Sequence, residues 1–200
     1  MQPQSFTALL ASLLFAPVLS AAPVTFFDFD NDAVADASWT VTAGDTFTVD
    51  VYVSNVDNAQ SGLLSWGVEL DFSQSLLSGN SYSIDAAWPF AGVNNQIDNA
   101  GGKAELLASA LTGTTGTMAL FSIEFTASNA GAATLSLQEL YPANANFTGF
   151  AGADGYDYDA EVVFDSVNVT INPVPLPASL WLFASGLAGL FVHARRKRNA

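Results

Sequence analysis

No cysteine occurs in these 200 residues, and the single histidine is His193. The first absence excludes disulfides, thiol nucleophiles and cysteine-ligated metals. The second leaves everything ahead of His193 without a Ser-His-Asp triad, a Cys-His dyad or a His-ligated zinc. Positive charge is equally scarce, with five Lys and Arg against 19 Asp and Glu. Four of those bases, Arg195, Arg196, Lys197 and Arg198, sit in the tail, so Lys103 is the only base between residues 21 and 172, a stretch that holds every acid. Such a surface repels nucleic acid and anionic lipid, because binding either requires Lys and Arg to displace counterions. Nucleic-acid binding is excluded. Regularly placed Val, Leu, Phe, Trp and Tyr separate this acidic stretch from a disordered one. Its length, roughly 150 residues, predicts one ordinary domain.

The two ends are apolar. Residues 1–20 open on polar Met1 to Ser5, continue through Leu9, Leu10, Leu13, Leu14, Phe15, Val18 and Leu19, and close on the small residues Ser20, Ala21 and Ala22. This pattern predicts a secretory signal peptide over residues 1–20, cleaved after Ser20, with no Lys or Arg in its n-region. At the other end, residues 173–177 are a Pro-rich linker, extended because each proline disfavours helix at the residue before it. Residues 178–194 are predicted to form a transmembrane helix and residues 195–200 a basic cytoplasmic tail, since Lys and Arg resist crossing a bilayer. The uninterrupted apolar run, residues 178–192, reaches only ~22 Å at about 1.5 Å per residue, short of a ~30 Å hydrocarbon core. A marginal anchor suits a temporary one.

Val174, Pro175, Leu176, Pro177 and Ala178, followed by the apolar run and the Arg195, Arg196, Lys197, Arg198 basic stop, resemble the VPLPA variant of the PEP-CTERM sorting signal of Gram-negative bacteria. The resemblance implies an exosortase-type protease that cleaves near the motif. It also implies a transient inner-membrane anchor and delivery to the cell surface or an extracellular polysaccharide matrix. Leu176 stands where the commoner motif has Glu. A plain, uncut anchor would instead leave a permanently membrane-anchored surface receptor.

Between the ends the pattern is all β. In residues 46–53, Phe47, Val49, Val51 and Val53 alternate with Thr46, Thr48, Asp50 and Tyr52, which predicts a strand with one buried face. Residues 64–72 repeat the device, burying Leu64, Trp66, Val68, Leu70 and Phe72. Further strands are predicted over residues 104–110, 117–126, 132–137 and 160–171. Turn signals lie at residues 43–45, 78–80, 100–102, 128–131 and 152–155, and Gly113-Thr114-Thr115-Gly116 reads as a hairpin turn. Many short strands predict an antiparallel β-sandwich over residues 21–172. The Gly44-Asp45 turn before residues 46–53, the Trp66 strand, the strand carrying Phe121, Ile123 and Phe125, and Gly131-Ala132-Ala133-Thr134-Leu135-Ser136-Leu137 are together similar to a cohesin-type domain. That likeness implies a nine-stranded jelly-roll sandwich, akin to carbohydrate-binding modules, in a family of receptors for dockerins. No dockerin-contact residue is identifiable.

Two acidic clusters are candidate calcium ligands, because calcium takes six to eight oxygens and closely spaced carboxylates supply them. They are Asp28, Asp30 and Asp32, and Asp154, Asp157 and Asp159. An EF-hand is excluded at the first, where Ala33 replaces the required Gly and Trp39 the bidentate Glu. The same acids equally serve as solvated charges that keep edge strands from pairing with neighbours. Trp88, Phe90, Tyr156 and Tyr158 are candidate ligand-stacking residues in or near predicted loops, while Trp66 reads as core. No acid is singled out as half of a glycosidase pair. The expectation is an exported, non-enzymatic surface or matrix protein that binds a protein or polysaccharide partner, needing no cofactor beyond a possible calcium. A small secreted polysaccharide-acting hydrolase is the alternative.

Overall fold

The alternation of apolar and polar side chains becomes, in the computed structural model, two sheets packed on their apolar faces. The structure describes residues 22–57, 61–141, 149–175, 179, 182, 183 and 185–187. The predicted signal peptide, the basic stop and most of the predicted membrane segment therefore lie outside the described residues, as do Leu176, Pro177 and Ala178 of the sorting motif. Ser179, Leu182, Phe183 and residues 185–187 are helical. No helix among the described residues is long and apolar enough to cross a membrane.

One sheet has four strands in the order β1 (Val24–Asp28), β3 (Thr46–Val56), β9 (Gly116–Ala127) and β5 (Leu77–Ile84), all antiparallel. The other runs β2 (Ser38–Thr42), β12 (Ser166–Asn172), β10 (Gly131–Glu139), β4 (Leu63–Phe72), β8 (Lys103–Thr114) and β6 (Phe90–Ala91). Two short strands complete its eight: β7 (Gln96–Asp98) beside β8, and β11 (Ala151–Gly152) beside β4. Among the named strands only β2 and β12 pair in parallel. The described residues thus form twelve strands where the family likeness implied nine, because several are two- or three-residue pieces.

The predicted inward face of β3 is the observed one: Val49, Val51 and Val53 are fully buried and Phe47 nearly so. Aromatic rings carry the core across the sandwich. Trp66 stacks on Phe121 with centroids 5.5 Å apart and meets Trp88 edge-on at 6.1 Å, while Phe125 lies between Phe47 and Phe72 at 5.8 and 5.2 Å. Each fully buried ring or branched aliphatic of this kind contributes ~1.5–3 kcal/mol through the area it removes from water.

Four local expectations are corrected. Leu63, not Leu64, is buried, because a bulge between Leu63 and Ser65 shifts the alternation by one residue and turns Leu64 outward. Residues 78–80 are not a turn but lie inside β5. Gly79 sits at a bulge, where a Cβ would come within 2.7 Å of Ile97 Cγ2, so glycine marks a close approach rather than a reversal. Residues 113–116 make no hairpin: β8 and β9 belong to different sheets, and the chain crosses the sandwich there. A Cβ on Gly113 would lie 1.8 Å from the Ser61 carbonyl oxygen, which is why that crossing needs glycine. Finally, the last strand begins at Ser166. Residues 160–165 instead run alongside β1, where the backbone of Val163 accepts from Thr25 N–H and donates to the Pro23 carbonyl, both at 2.9 Å.

Candidate functional site

Register places the outward side chains of the eight-stranded sheet in rows. Across β4 and β8 the facing pairs are Ser65 with Ser109, Gly67 with Leu107, Glu69 with Glu105, and Asp71 with Lys103. Phe90 on β6 continues the first row beside Ser109, Gln96 on β7 continues the third beside Glu105, and Gln138 on β10 flanks Glu69. Directly facing residues share a face of the sheet. One end of this face is therefore ionic and the other apolar.

Lys103 organises the ionic end. Its Nζ donates to Glu105 Oε1 at 2.7 Å and to Glu69 Oε2 at 3.1 Å. Gln96 Nε2 donates to Glu105 Oε2 at 2.7 Å, and Gln138 Nε2 bridges Glu69 Oε1 at 2.6 Å and Asp71 Oδ2 at 3.0 Å. The hydrogen bonds it donates to Glu105 and Glu69 push the lysine's pKa up, and those Glu105 accepts from Lys103 and Gln96 hold Glu105 below its ordinary value. Asp71 is raised by desolvation and then by Glu69. These carboxylates are thus tied to a cation or to amides. At the apolar end Phe90 is 51 % exposed and Leu111, further along β8, is 78 % exposed. Between β4 and β8 lies a cleft of about 350 Å³ whose walls include Leu64, Leu107, Ala110 and Gly149. The uniqueness of Lys103 among the body's acids was the sequence signal for the network. Nothing in the alternation singled out Leu107 or Leu111.

The first acidic cluster is built by the loop that carries the chain from β1 to β2. Asp28 is 1 % exposed, and its carboxylate accepts from four backbone N–H groups: Oδ1 from Asp30, Asn31 and Asp32 at 3.2, 2.8 and 3.4 Å, and Oδ2 from Ala33 at 2.7 Å. Those bonds hold Asn31 and Ala33 at φ of 62° and 60°, left-handed values that cost a non-glycine residue roughly 1–2 kcal/mol. Asp36 closes the loop, its Oδ2 accepting from Phe29 N–H at 2.8 Å. Asp28, Asp30 and Asp36 each bring a carboxylate oxygen within 4.8 Å of the others. The group thus takes in Asp36, which the sequence reading did not name. Asp32 Oδ1 instead accepts from Val34 N–H at 2.8 Å. Desolvation, then Asp32, Asp36 and Asp28, raise the pKa of Asp30.

In the second cluster each carboxylate caps its own loop. Asp154 accepts from Tyr156 N–H at 3.0 Å and Asp157 from Asp159 N–H at 2.9 Å. Asp159 takes Gly149 and Phe150 N–H at 2.8 and 2.5 Å. Among the described residues these three do not form a compact carboxylate group with one another or with the first cluster.

The aromatic candidates divide. Trp88 is only 2 % exposed, and its indole N–H donates to the Ala119 carbonyl at 2.8 Å, so it plugs the core beside Trp66 rather than offering a stacking surface. Tyr158 is also buried, which pushes its hydroxyl up to about 12. Both had read as loop residues, but tertiary packing folds their loops inward. Tyr156 is half-buried, edge-on to Tyr158 at 5.0 Å, and its hydroxyl donates to Glu161. Phe90 alone of the four is an open ring.

After β12 the chain leaves the sandwich through exposed residues 172–175. Residues 173–197 match the PEP-CTERM protein-sorting motif. The chain carries a PEP-CTERM sorting motif. That motif marks an exported protein, and the domain it follows has a cohesin-like fold. A cohesin module from the family 33 glycoside hydrolase of Clostridium perfringens superposes with a TM-score of 0.56 at 12 % identity, covering 77 % of this chain and 99 % of its own. A non-cellulosomal cohesin from the archaeon Archaeoglobus fulgidus gives 0.54 at 17 % identity, covering 80 % and 96 %. A Clostridium thermocellum cohesin solved in a type I cohesin–dockerin complex gives 0.54 at 11 %, covering 77 % and 96 %. No curated protein matches this PEP-CTERM chain in sequence.

Proposed function

We propose that the protein is a non-catalytic surface or extracellular-matrix protein, freed from a transient inner-membrane anchor by an exosortase-type protease, that binds a protein partner through the outer face of the eight-stranded sheet. The observation that carries the reading is the pairing of an apolar end, where Phe90 and Leu111 are exposed and Leu107 is half-buried, with an ionic end ordered by Lys103. Exposed apolar side chains beside fixed charges supply what a protein interface needs, burial at the centre and orientation at the rim. The excess of carboxylate favours a partner that is basic where it meets Glu69, Asp71 and Glu105. Cohesins solved with dockerins are a precedent for protein binding on this fold. Tethering of the carboxylates to Lys103, Gln96 and Gln138 favours binding over proton transfer. Calcium, as part of the same reading, belongs at Asp28, Asp30 and Asp36, which come together, rather than at Asp154, Asp157 and Asp159, which cap backbone.

A photo-crosslinking residue at Ser109, expressed in the native host, tests the interface. The expected result is one discrete protein adduct, lost on Phe90→Ala and on Glu69→Lys. An unchanged adduct in both variants, or none at all, refutes it. Intact mass spectrometry of surface, medium and membrane fractions tests the sorting. A mass lacking residues 1–20 and ending near residues 175–178 is expected. Recovery only from membranes with residues 195–200 attached would leave a permanently anchored receptor.

A further inference from the structure

The chain leaves the sandwich at one end of its long axis, and the two ends differ in charge. Four loops surround the exit after β12: residues 43–45, 73–76, 100–102 and 128–130. Ala43 N–H donates to the Asn172 carbonyl at 2.8 Å and Gly44 N–H to that of Ala127 at 2.7 Å. Ser128 N–H donates to the Leu76 carbonyl at 2.7 Å and Asn129 Nδ2 to that of Ser75 at 2.9 Å, while a Cβ on Gly102 would lie 3.1 Å from Gln74 Cβ. These loops hold one acid, Asp45, and expose no large apolar side chain. At the far end, Asp57 follows β3 and Glu139 ends β10. Asp154 and Asp157 lie there too, in the loop whose Ala153 N–H donates to the Gly62 carbonyl at 3.0 Å, just ahead of β4. Strands of nine to twelve residues put roughly 25–35 Å between the two ends.

We propose that, until it is cut, the sandwich stands on its exit end against the outer-leaflet headgroups of the inner membrane, an inference that rests on the transient anchor proposed above. Residues 173–177 are all that separate β12 from the apolar run beginning at Ala178, and five residues reach at most ~18 Å. So short a tether holds the domain at the bilayer and leaves only its orientation to be decided. Lying on an outer sheet face would press Glu69, Asp71 and Glu105, or Asp50 and Glu124, toward anionic lipid. Lying on a flank would bring Asp30, Asp32 and Asp36 beside β1 and β2, or Asp85 and Asp98 beside β5 and β7. Standing on the exit end presents Asp45 alone and keeps the far-end carboxylates beyond two Debye lengths, each ~10 Å at 0.1 M salt. Ser73, Gln74, Ser75, Ser128 and Asn129 offer hydroxyls and amides to the headgroups, and without an exposed large apolar side chain these loops rest on the surface rather than insert. Val174, 61 % exposed, then lies in the gap, within reach of a protease in the membrane. Both sheet faces point along the membrane plane in this stance, so the protein-binding face is open before release as well as after.

The absence of cysteine makes any introduced thiol the sole labelling site. The unprocessed membrane form, purified from a host without an exosortase-type protease, is reconstituted into vesicles of phosphatidylethanolamine and phosphatidylglycerol in which a fraction of the headgroups carry a nitroxide quencher. Fluorophores are placed at Gln74→Cys and Ala130→Cys on the exit end, and at Thr115→Cys, an exposed position between β8 and β9 at the far end. Quenching at the first two should exceed that at Thr115→Cys about fivefold, given the ~25–35 Å between the ends. The contrast should narrow in about 1 M NaCl, which screens the carboxylates. Vesicle-bound chains quenched equally at both ends, quenched more at Thr115→Cys, or showing a contrast untouched by salt overturn the proposal. A chain that does not float with the vesicles overturns the anchor itself and the stance with it, so the two readings fail by different observations.

Discussion

Replacing Lys103 with methionine removes the one cation of the folded body while keeping the stem that covers the sheet. Its ammonium makes two bridges, at 2.7 and 3.1 Å, with 34 % of the lysine side chain and 11 and 18 % of the glutamates' exposed. Solvent screening holds each bridge to ~0.5–1 kcal/mol. Glu69 and Glu105 then face each other across β4 and β8 as unrelieved like charges, which adds ~0.5 kcal/mol. The total, about 2 kcal/mol, corresponds to a fall in Tm of ~4–8 °C for a domain of this size. Thermal unfolding followed by circular dichroism at pH ~7 and low salt reads it directly. The loss should shrink at about 1 M NaCl and vanish near pH ~3, where the glutamates are protonated. A Lys103→Met variant that melts with the wild type at neutral pH, or loses as much at pH ~3, would refute the electrostatic account.

The wild type's own pH profile has a worked sign. Folded-state pKa values of Asp71, Glu139 and Asp159 are raised, each chiefly by desolvation, so the folded protein takes up protons first and Tm climbs as pH falls from ~7 toward ~5. Glu105, lowered by Lys103 and Gln96, stabilises only while ionised, so Tm drops again below its ordinary range; a monotonic fall from neutral pH contradicts this. Trp88→Ala should cost ~3–5 kcal/mol in urea unfolding, as a buried ring does, whereas Phe90→Ala should stay within ~0.5 kcal/mol; equal effects would place both on the surface. Asp28→Ala strips four backbone N–H groups of their acceptor and should cost ~3 kcal/mol, with a value under ~1 kcal/mol ruling out the loop-organising role. Calcium at about 2 mM should raise Tm by ~3 °C, a gain lost in Asp36→Asn and kept in Asp154→Asn; the reverse pattern would move the ion to the second cluster.

Much of the fold was legible because a half-buried strand writes its two faces into alternate residues. The predicted strand at residues 46–53 emerged as the core of β3, and Trp66 as a central core ring. Alternation reports a face only while the register runs unbroken, and bulges leave no mark on composition. The bulge beside Leu63 reversed Leu64, and the one at Gly79 made a strand out of an apparent turn. The candidate sites were less legible. Asp28 and Asp30 were within reach of inspection, but Asp36 joins them only because the loop doubles back through backbone bonds to Asp28. Trp88 and Tyr158 looked like exposed loop aromatics, since a loop's side chains carry no periodic sign of whether they turn in or out.

The sequence by itself determined what depends on composition and local order. The absence of cysteine, and of histidine ahead of His193, removed whole classes of catalysis, a single base beside the 19 acids of residues 21–172 excluded nucleic acid, alternation pointed to a sandwich, and contiguous residues of the tail spelled the sorting motif. Tertiary structure alone decided which strands became neighbours. It set Lys103 between Glu69 and Glu105 and gathered Phe90 and Leu107 on the same face. Those pairings join residues tens of positions apart, through registers fixed by how the two apolar faces close on each other, and no local pattern in the chain encodes that closure.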